Sequence, residues 1–273
     1  MTAQRMDREL ERAQELARIA GREVLRMQRG ELEVEMKPGD EPVSVADRRA
    51  SEIIVAGLQE SFPTDKIISE ELPPGPGTID ALRKWLVDPI DGTKDYIRGE
   101  DGYSVMIGLL VGGRPSVGVV YQPSLDRMFY ATPAGAFVHH EGQTRRLAVS
   151  AIASASQIRL VASKSHRSAE LDKVKQSLGI DNELNVGSVG VKLCLIAMGV
   201  RDLYVNPAAK TKAWDTCAPE AILVQAGGRL SDLHGGPIEY TGELAHHRGL
   251  VASNGLVHDE VVAKLSPLFP QLR

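Results

Sequence analysis

The sequence predicts a strand-rich α+β first half joined to an α/β second half, and three observations predict it. Residues 3–28 place Met6, Leu10, Ala13, Leu16, Ala17, Ala20, Val24 and Met27 at three- and four-residue steps, the period of an amphipathic helix. From Tyr103 to about Val149 the pattern is strand after strand. Beyond the Ala/Ser run at 151–156, short apolar strands alternate with helical stretches, as α/β units do. That run divides the chain into a first domain, 1–150, and a second, 151–273.

After the first helix, Leu32, Val34 and Met36 alternate as a short strand. A second helix begins near Ala46-Asp47 and carries Ile53, Ile54 and Leu58 on its apolar side. Ile67-Ile68 is a short strand that stops at Glu70-Glu71, and the Pro/Gly-rich segment 72–79 is a loop. Trp85-Leu86-Val87 reads as a buried strand ended by Pro89 and Gly92. Gly112-Gly113 separates the apolar runs 103–111 and 115–121 as a hairpin turn would, with further strands at 127–131, 135–139 and 145–149. In the second half, 158–162 and 202–205 are strands, while 168–178, 189–199 and 215–226 are helices, with Pro219 in the first turn of the last.

Composition narrows the function. The 273 residues are 42% hydrophobic and 25% charged, normal for a globular protein, and the net charge of -4 comes with no basic block for a nucleic-acid polymer. No apolar run is long enough to span a membrane, and the charged N-terminal stretch lacks a signal-peptide core. Cys194 and Cys217 form neither a disulfide framework nor a CxxC pair, so the chain reads as cytoplasmic.

Asp88-Pro89-Ile90-Asp91-Gly92-Thr93 is where chemistry concentrates. Two carboxylates at the end of a core strand are costly to bury and repel each other, and a hard divalent cation relieves both costs. The following Gly-Thr offers backbone N–H groups of the kind that hold phosphate. Alone, Asp47, Glu70, Asp88, Asp91 or Asp215 would each be a helix cap, turn residue or solvated charge.

As an ordered set, Glu70-Glu71, Asp88 to Thr93, Trp214-Asp215 and Gly227-Gly228 resemble the inositol monophosphatase superfamily, over roughly residues 1–255. The resemblance implies a layered αβαβα sandwich and a lithium-sensitive, Mg²⁺-dependent phosphomonoesterase with two or three Mg²⁺ ions per site, monomeric or homodimeric. It implies that Glu70, Asp88 and the Ile90 carbonyl hold one metal, and that Asp88, Asp91 and Asp215 hold a second. Thr93, paired with Asp47, would orient and deprotonate the attacking water, and the Gly92 and Thr93 N–H groups would bind phosphate. The first domain thus carries most of the metal ligands and the second carries Asp215.

Three further matches resemble the 3'(2'),5'-bisphosphate nucleotidases within that superfamily: Ser163-Lys164-Ser165-His166, the Gly187 to Cys194 helix start, and Lys212 to Glu220. They imply that Ser163, His166, Ser188, Gly190, Lys192 and Asp215 lie beside the substrate, with Lys192 a cation for the phosphate that is not cleaved. The implied activity is hydrolysis of adenosine 3',5'-bisphosphate to AMP, against the alternatives of an inositol or sugar phosphatase, or of a metal-dependent binding protein without catalysis. Aromatic content is 4%, and among the rings only Tyr204 and Tyr240 are candidates to stack an adenine.

Overall fold

The computed structural model describes residues 6–30, 34–37, 41–72, 81–164, 169–208 and 211–272. Helix α1 (Asp7–Gln28) buries Ala13, Leu16, Ala17, Ala20 and Val24, the stripe expected from its period. A ribbon of β1 (Val34–Lys37) and β2 (Glu41–Ser44) leads into α2 (Val45–Ser61). Leu32 and the stretch 73–79 lie outside the described residues.

Next come β3 (Lys66–Ser69), β4 (Arg83–Asp91), the short helix α3 (Thr93–Ile97), β5 (Ser104–Val111), β6 (Arg114–Gln122), β7 (Arg127–Thr132), β8 (Gly135–His140) and β9 (Gln143–Arg146). Among the described residues they form one sheet in the order β3-β4-β5-β6-β7-β8-β9, with β3 parallel to β4 and every later pair antiparallel. The second half runs β10 (Leu160–Ser163), α4 (Ala169–Leu178), β11 (Glu183–Val186), α5 (Val189–Ala197), β12 (Leu203–Asn206), β13 (Thr211–Lys212), α6 (Ala213–Gln225), β14 (Arg229–Ser231), β15 (Ala245–His246), β16 (Leu250–Ser253) and α7 (His258–Leu265). Its sheet has the order β11-β10-β12-β16-β14, parallel among β11, β10 and β12 and antiparallel at β16 and β14.

Strand alternation sorts the core into layers. Trp85, Val87, Val105 and Ile107 face α1 and α2. Leu86, Met106, Val120 and Phe129 face the other way, onto Cys194, Ile196, Cys217 and Ile222 of α5 and α6. Val161, Tyr204 and Ala252 of the second sheet close that layer from its far side. Leu160, Leu203 and Val251 turn outward onto α4 and α7. The result is the αβαβα sandwich expected. Helix α6 lies directly on the first sheet at the cross-strand pair Gly108 and Gly118. A Cβ at Gly118 would stand 2.1 Å from the Ala218 carbonyl oxygen, so only glycine admits the helix there. No helix among the described residues is long and apolar enough to cross a membrane.

Two local expectations are corrected. Pro89 does not end β4; the strand continues to Asp91 through a register shift. Helix α6 begins at Ala213, so Pro219 sits inside it rather than in its first turn. Its missing N–H leaves the Asp215 carbonyl without the usual helical donor.

Candidate metal and phosphate site

The irregularity in β4 builds the acid pair. Asp88 stands opposite Met106 and Asp91 opposite Ser104, so three steps on β4 match two on β5. In a regular strand, residues three apart point to opposite faces; the extra residue returns both carboxylates to one face, the face toward α5 and α6. Pro89 sits inside the irregular stretch, where a residue without an N–H costs the ladder least.

Three helix starts meet this pair, each holding one acid. Asp47 is the third residue of α2 and accepts from the Ser44 N–H at 2.8 Å and the Ser44 hydroxyl at 2.6 Å. Asp215 is the third residue of α6 and accepts from the Lys212 N–H at 2.7 Å. Asp91 reaches across to α5, where the Ser188 hydroxyl and the Gly190 N–H donate to its Oδ2 at 2.5 and 2.8 Å. The positive ends of helices stabilise these anions, offsetting part of their mutual repulsion.

Asp88 receives no such help. It is 2% exposed, and its Oδ1 has no hydrogen-bond partner. Burial first, then the charges of Glu70, Asp91, Asp215 and Asp47, push its carboxyl well above the ordinary range. Glu70 follows β3 directly, with its N–H on the Val87 carbonyl at 3.1 Å. Burial also raises Asp91, opposed by the Lys192 charge and the donors at the start of α5. A buried acceptor without a donor, ringed by four further carboxylates, fits the all-oxygen surroundings a hard cation takes. Among the described residues no three such side chains are already drawn together tightly enough to chelate an ion. Asp47, Asp91 and Asp215 each spend an oxygen on a helix start.

Gly92 caps α3 with φ of 92°, and a Cβ there would meet the Gly102 carbonyl at 2.9 Å and the Ser188 nitrogen at 3.0 Å. The first N–H groups of that helix have no acceptor one turn back, which is how a helix start presents donors to an anion. The Thr93 hydroxyl lies 3.0 Å from the Ile90 carbonyl and 3.4 Å from Asp47 Oδ1, so its one proton has two acceptors within reach.

The residues assigned to the substrate separate. Ser163 ends β10, half-buried, beside the buried Tyr204 hydroxyl. His166 lies outside the described residues. Ser188 and Gly190 are buried and turned onto Asp91 rather than onto a binding surface. Lys192 departs furthest from expectation: it is 0% exposed, neither solvated nor open to a second phosphate. Its ammonium bonds the Val186 and Gly187 carbonyls at 3.1 and 2.6 Å and lies 5.2 Å from the centre of the Tyr204 ring. Burial lowers its pKa to about 8, with Asp91, Asp95 and Asp215 pulling the other way. A cavity of about 280 Å³ opens alongside, bordered by Asp95, Arg127, Lys164 and Asn185, but not by Lys192 or Ser188. Tyr204 and Tyr240, 1% exposed, present no face to an adenine. The role of Asp95, which accepts from the Gly187 N–H, was not visible in sequence, since 92 positions separate the pair. Ser44 was: Ser-x-x-Asp ahead of an apolar run is a helix-start pattern.

Comparison with known proteins now has a geometry to meet. The profile of the inositol monophosphatase family matches residues 6–268. The chain belongs to that family. Among similar proteins, the 3'(2'),5'-bisphosphate nucleotidase CysQ of Salmonella typhimurium is 36% identical over 235 residues, covering 85% of this chain and 94% of the relative. The histidinol-phosphatase of Mycobacterium tuberculosis is 35% identical over 263 residues, covering 94% of each. Among solved structures, a Thermotoga maritima IMPase superposes with a TM-score of 0.81 at 26% identity, covering 97% of this chain and all of that one (100%). Membership makes the chain a phosphatase-family protein and accounts for the sandwich and for the order of the acids along it.

Proposed function

We propose that the chain is a Mg²⁺-dependent phosphomonoesterase that removes the 3'-phosphate of adenosine 3',5'-bisphosphate to give AMP and phosphate. The observation that carries the phosphatase chemistry is Asp88, a buried carboxylate with an unpartnered oxygen among four other acids. The nucleotide substrate is supported by the CysQ relatives of Salmonella and Escherichia coli, at 36% and 35% identity.

In this reading Glu70, Asp88, the Ile90 carbonyl, Asp91 and Asp215 hold the metal. Mg²⁺ held there would supply Lewis acidity to the phosphoryl group and acidify the attacking water. The Gly92 and Thr93 N–H groups, at the start of α3, face the phosphate oxygens. Thr93 takes a proton from the water as its own passes to Asp47, so Asp47 ends protonated and the water is left as the hydroxide that attacks phosphorus. Rotating the Thr93 hydroxyl from the Ile90 carbonyl to Asp47 Oδ1 is all this relay requires of the side chain. Ser163, at the end of β10, and His166, three positions on in sequence, are left as the residues assigned to the nucleoside.

A second reading, histidinol phosphate as substrate, is favoured by the relative that covers 94% of this chain. Parallel kcat/KM measurements with Mg²⁺ on adenosine 3',5'-bisphosphate, histidinol phosphate, inositol 1-phosphate and fructose 1,6-bisphosphate decide between them. The bisphosphate nucleotide should lead by at least about tenfold, the discrimination a few pocket contacts supply. A lead for histidinol phosphate or inositol phosphate would sink the nucleotidase assignment while leaving the phosphatase chemistry intact.

A further inference from the structure

Between the end of β11 and the start of α5, the turn Val186-Gly187-Ser188 joins the second sheet to the acid cluster, and two successive peptide groups in it are held at both ends. The Val186–Gly187 peptide donates its N–H to Asp95 Oδ2 at 3.0 Å and accepts Lys192 Nζ on its carbonyl at 3.1 Å. The Gly187–Ser188 peptide donates its N–H to the Gly102 carbonyl at 2.8 Å and accepts the same ammonium at 2.6 Å. The packing admits no slack. A Cβ on Gly102 would fall 1.9 Å from Asp95 Oδ2, and one on Gly187 would fall 2.6 Å from Asp95 Cγ.

Burying a carboxylate at 2% exposure and an ammonium at 0% is costly. Their position explains the expense. From the second clamped peptide itself and two residues beyond it, the Ser188 hydroxyl and the Gly190 N–H hold Asp91 Oδ2, while Ser104 Oγ lies 3.0 Å from Ser188 Oγ. Asp91 therefore takes its orientation from the second half of the chain, through a turn that cannot shift without breaking a buried hydrogen bond.

We infer that Asp95 and Lys192 are positioning residues, which clamp the Gly187 turn so that the start of α5 fixes one oxygen of Asp91 and presents the carboxylate to the divalent cation. The inference rests on the metal reading of the acid cluster. It also gives Lys192 a task that is blind to the substrate, so its loss should not distinguish a bisphosphate from a monophosphate.

The test measures Mg²⁺ binding by titration calorimetry on the full chain without substrate, then kcat/KM across a Mg²⁺ series. Asp95→Ala and Lys192→Met should weaken Mg²⁺ binding by about tenfold or more, the usual range for partners that orient a metal ligand. Turnover should recover as Mg²⁺ is raised, and the loss should be equal on adenosine 3',5'-bisphosphate and on a nucleoside 3'-monophosphate, which carries the cleaved phosphate alone. Asp95→Asn keeps an oxygen for the Gly187 N–H and should recover most of the affinity. Wild-type Mg²⁺ affinity in both variants, alongside its loss in Asp88→Asn, overturns the clamp; wild-type affinity in Asp88→Asn as well overturns the metal reading beneath it. A Lys192→Met loss confined to the bisphosphate also overturns the clamp. If either variant fails to fold, Gly187→Ala, which drives a methyl against Asp95, must lower Mg²⁺ affinity, and unchanged affinity refutes the inference.

Discussion

At residue scale, Asp88 carries an unrelieved cost: it is a buried carboxylate whose Oδ1 has no donor and whose neighbours are acids. Asparagine in its place removes the charge but keeps the shape. Without Mg²⁺ at neutral pH, Asp88→Asn should therefore be more stable than the wild type, because the raised carboxyl is charged there at a cost the amide avoids. With Mg²⁺ the order should reverse, since only the wild type gains from a ligand that binds the folded state, and turnover should vanish. Thermal melts with and without Mg²⁺ check both signs, and a wild type that leads in both conditions would remove the case for a cation at this residue. Asp88 and Asp91 were legible in the sequence because they sit three apart beside a Gly-Thr pair. What set them on one face was not, since Pro89 reads equally well as a terminator and as an irregularity within a strand. Nor was the partner of Asp91, because Ser188 and Gly190 lie 97 and 99 positions away.

Among the elements, α6 links the acid cluster to the core. It presents Asp215 in its first turn and lies across Gly108 and Gly118 of the first sheet. Its Glu220 accepts from the Tyr240 hydroxyl, whose oxygen also lies 3.1 Å from Thr216 Oγ1; Thr216 in turn pairs with His246 Nε2 at 2.9 Å. Burial raises Glu220 from an ordinary 4.5 to about 7. A carboxyl whose folded pKa lies above its unfolded one contributes stability that is fully present below the unfolded value and is lost as pH rises through the folded one. The wild type should therefore lose no more than about 3 kcal/mol, relative to Glu220→Gln, as pH climbs from about 4.5 to about 7. His246 and His258, both lowered to about 4 by burial, act in the opposite sense, with stability lost as pH falls below 6.5. The two proteins must therefore be compared at each pH by calorimetry, and parallel melting curves across that window would show that Glu220 is not the group responsible. The amphipathic period made α1, α2 and α4 legible. The five residues of α3 and the two-residue ribbon of β13 and β15 are too short for any period to show.

At the scale of the whole molecule, the line drawn near residue 150 separates two compositions, and one apolar layer crosses it. Met106, Val120 and Phe129 from the first half pack with Val161, Cys194, Cys217 and Tyr204 from the second in one apolar layer. The two halves are joined again in polar terms, by Asp91 to Ser188, Asp95 to Gly187, and Lys84 Nζ to the Tyr240 carbonyl at 2.6 Å. Sequence could show where the pattern changes from strand-rich to alternating, because that is local. It could not show that α5 and α6 serve both sheets, because helices that are apolar nearly all round give no sign of which neighbour each face will meet. Half a molecule, 1–150 alone, would leave the α6-facing side of its sheet in water, an apolar patch of the kind that drives association. The two halves should accordingly melt together. Scanning calorimetry should give one transition whose calorimetric and van't Hoff enthalpies agree, moving upward as a unit when Mg²⁺ is added. Two resolved transitions, or a Mg²⁺ shift confined to one of them, would mean that the halves fold separately and that Asp91 is not tied to α5 strongly enough to couple them.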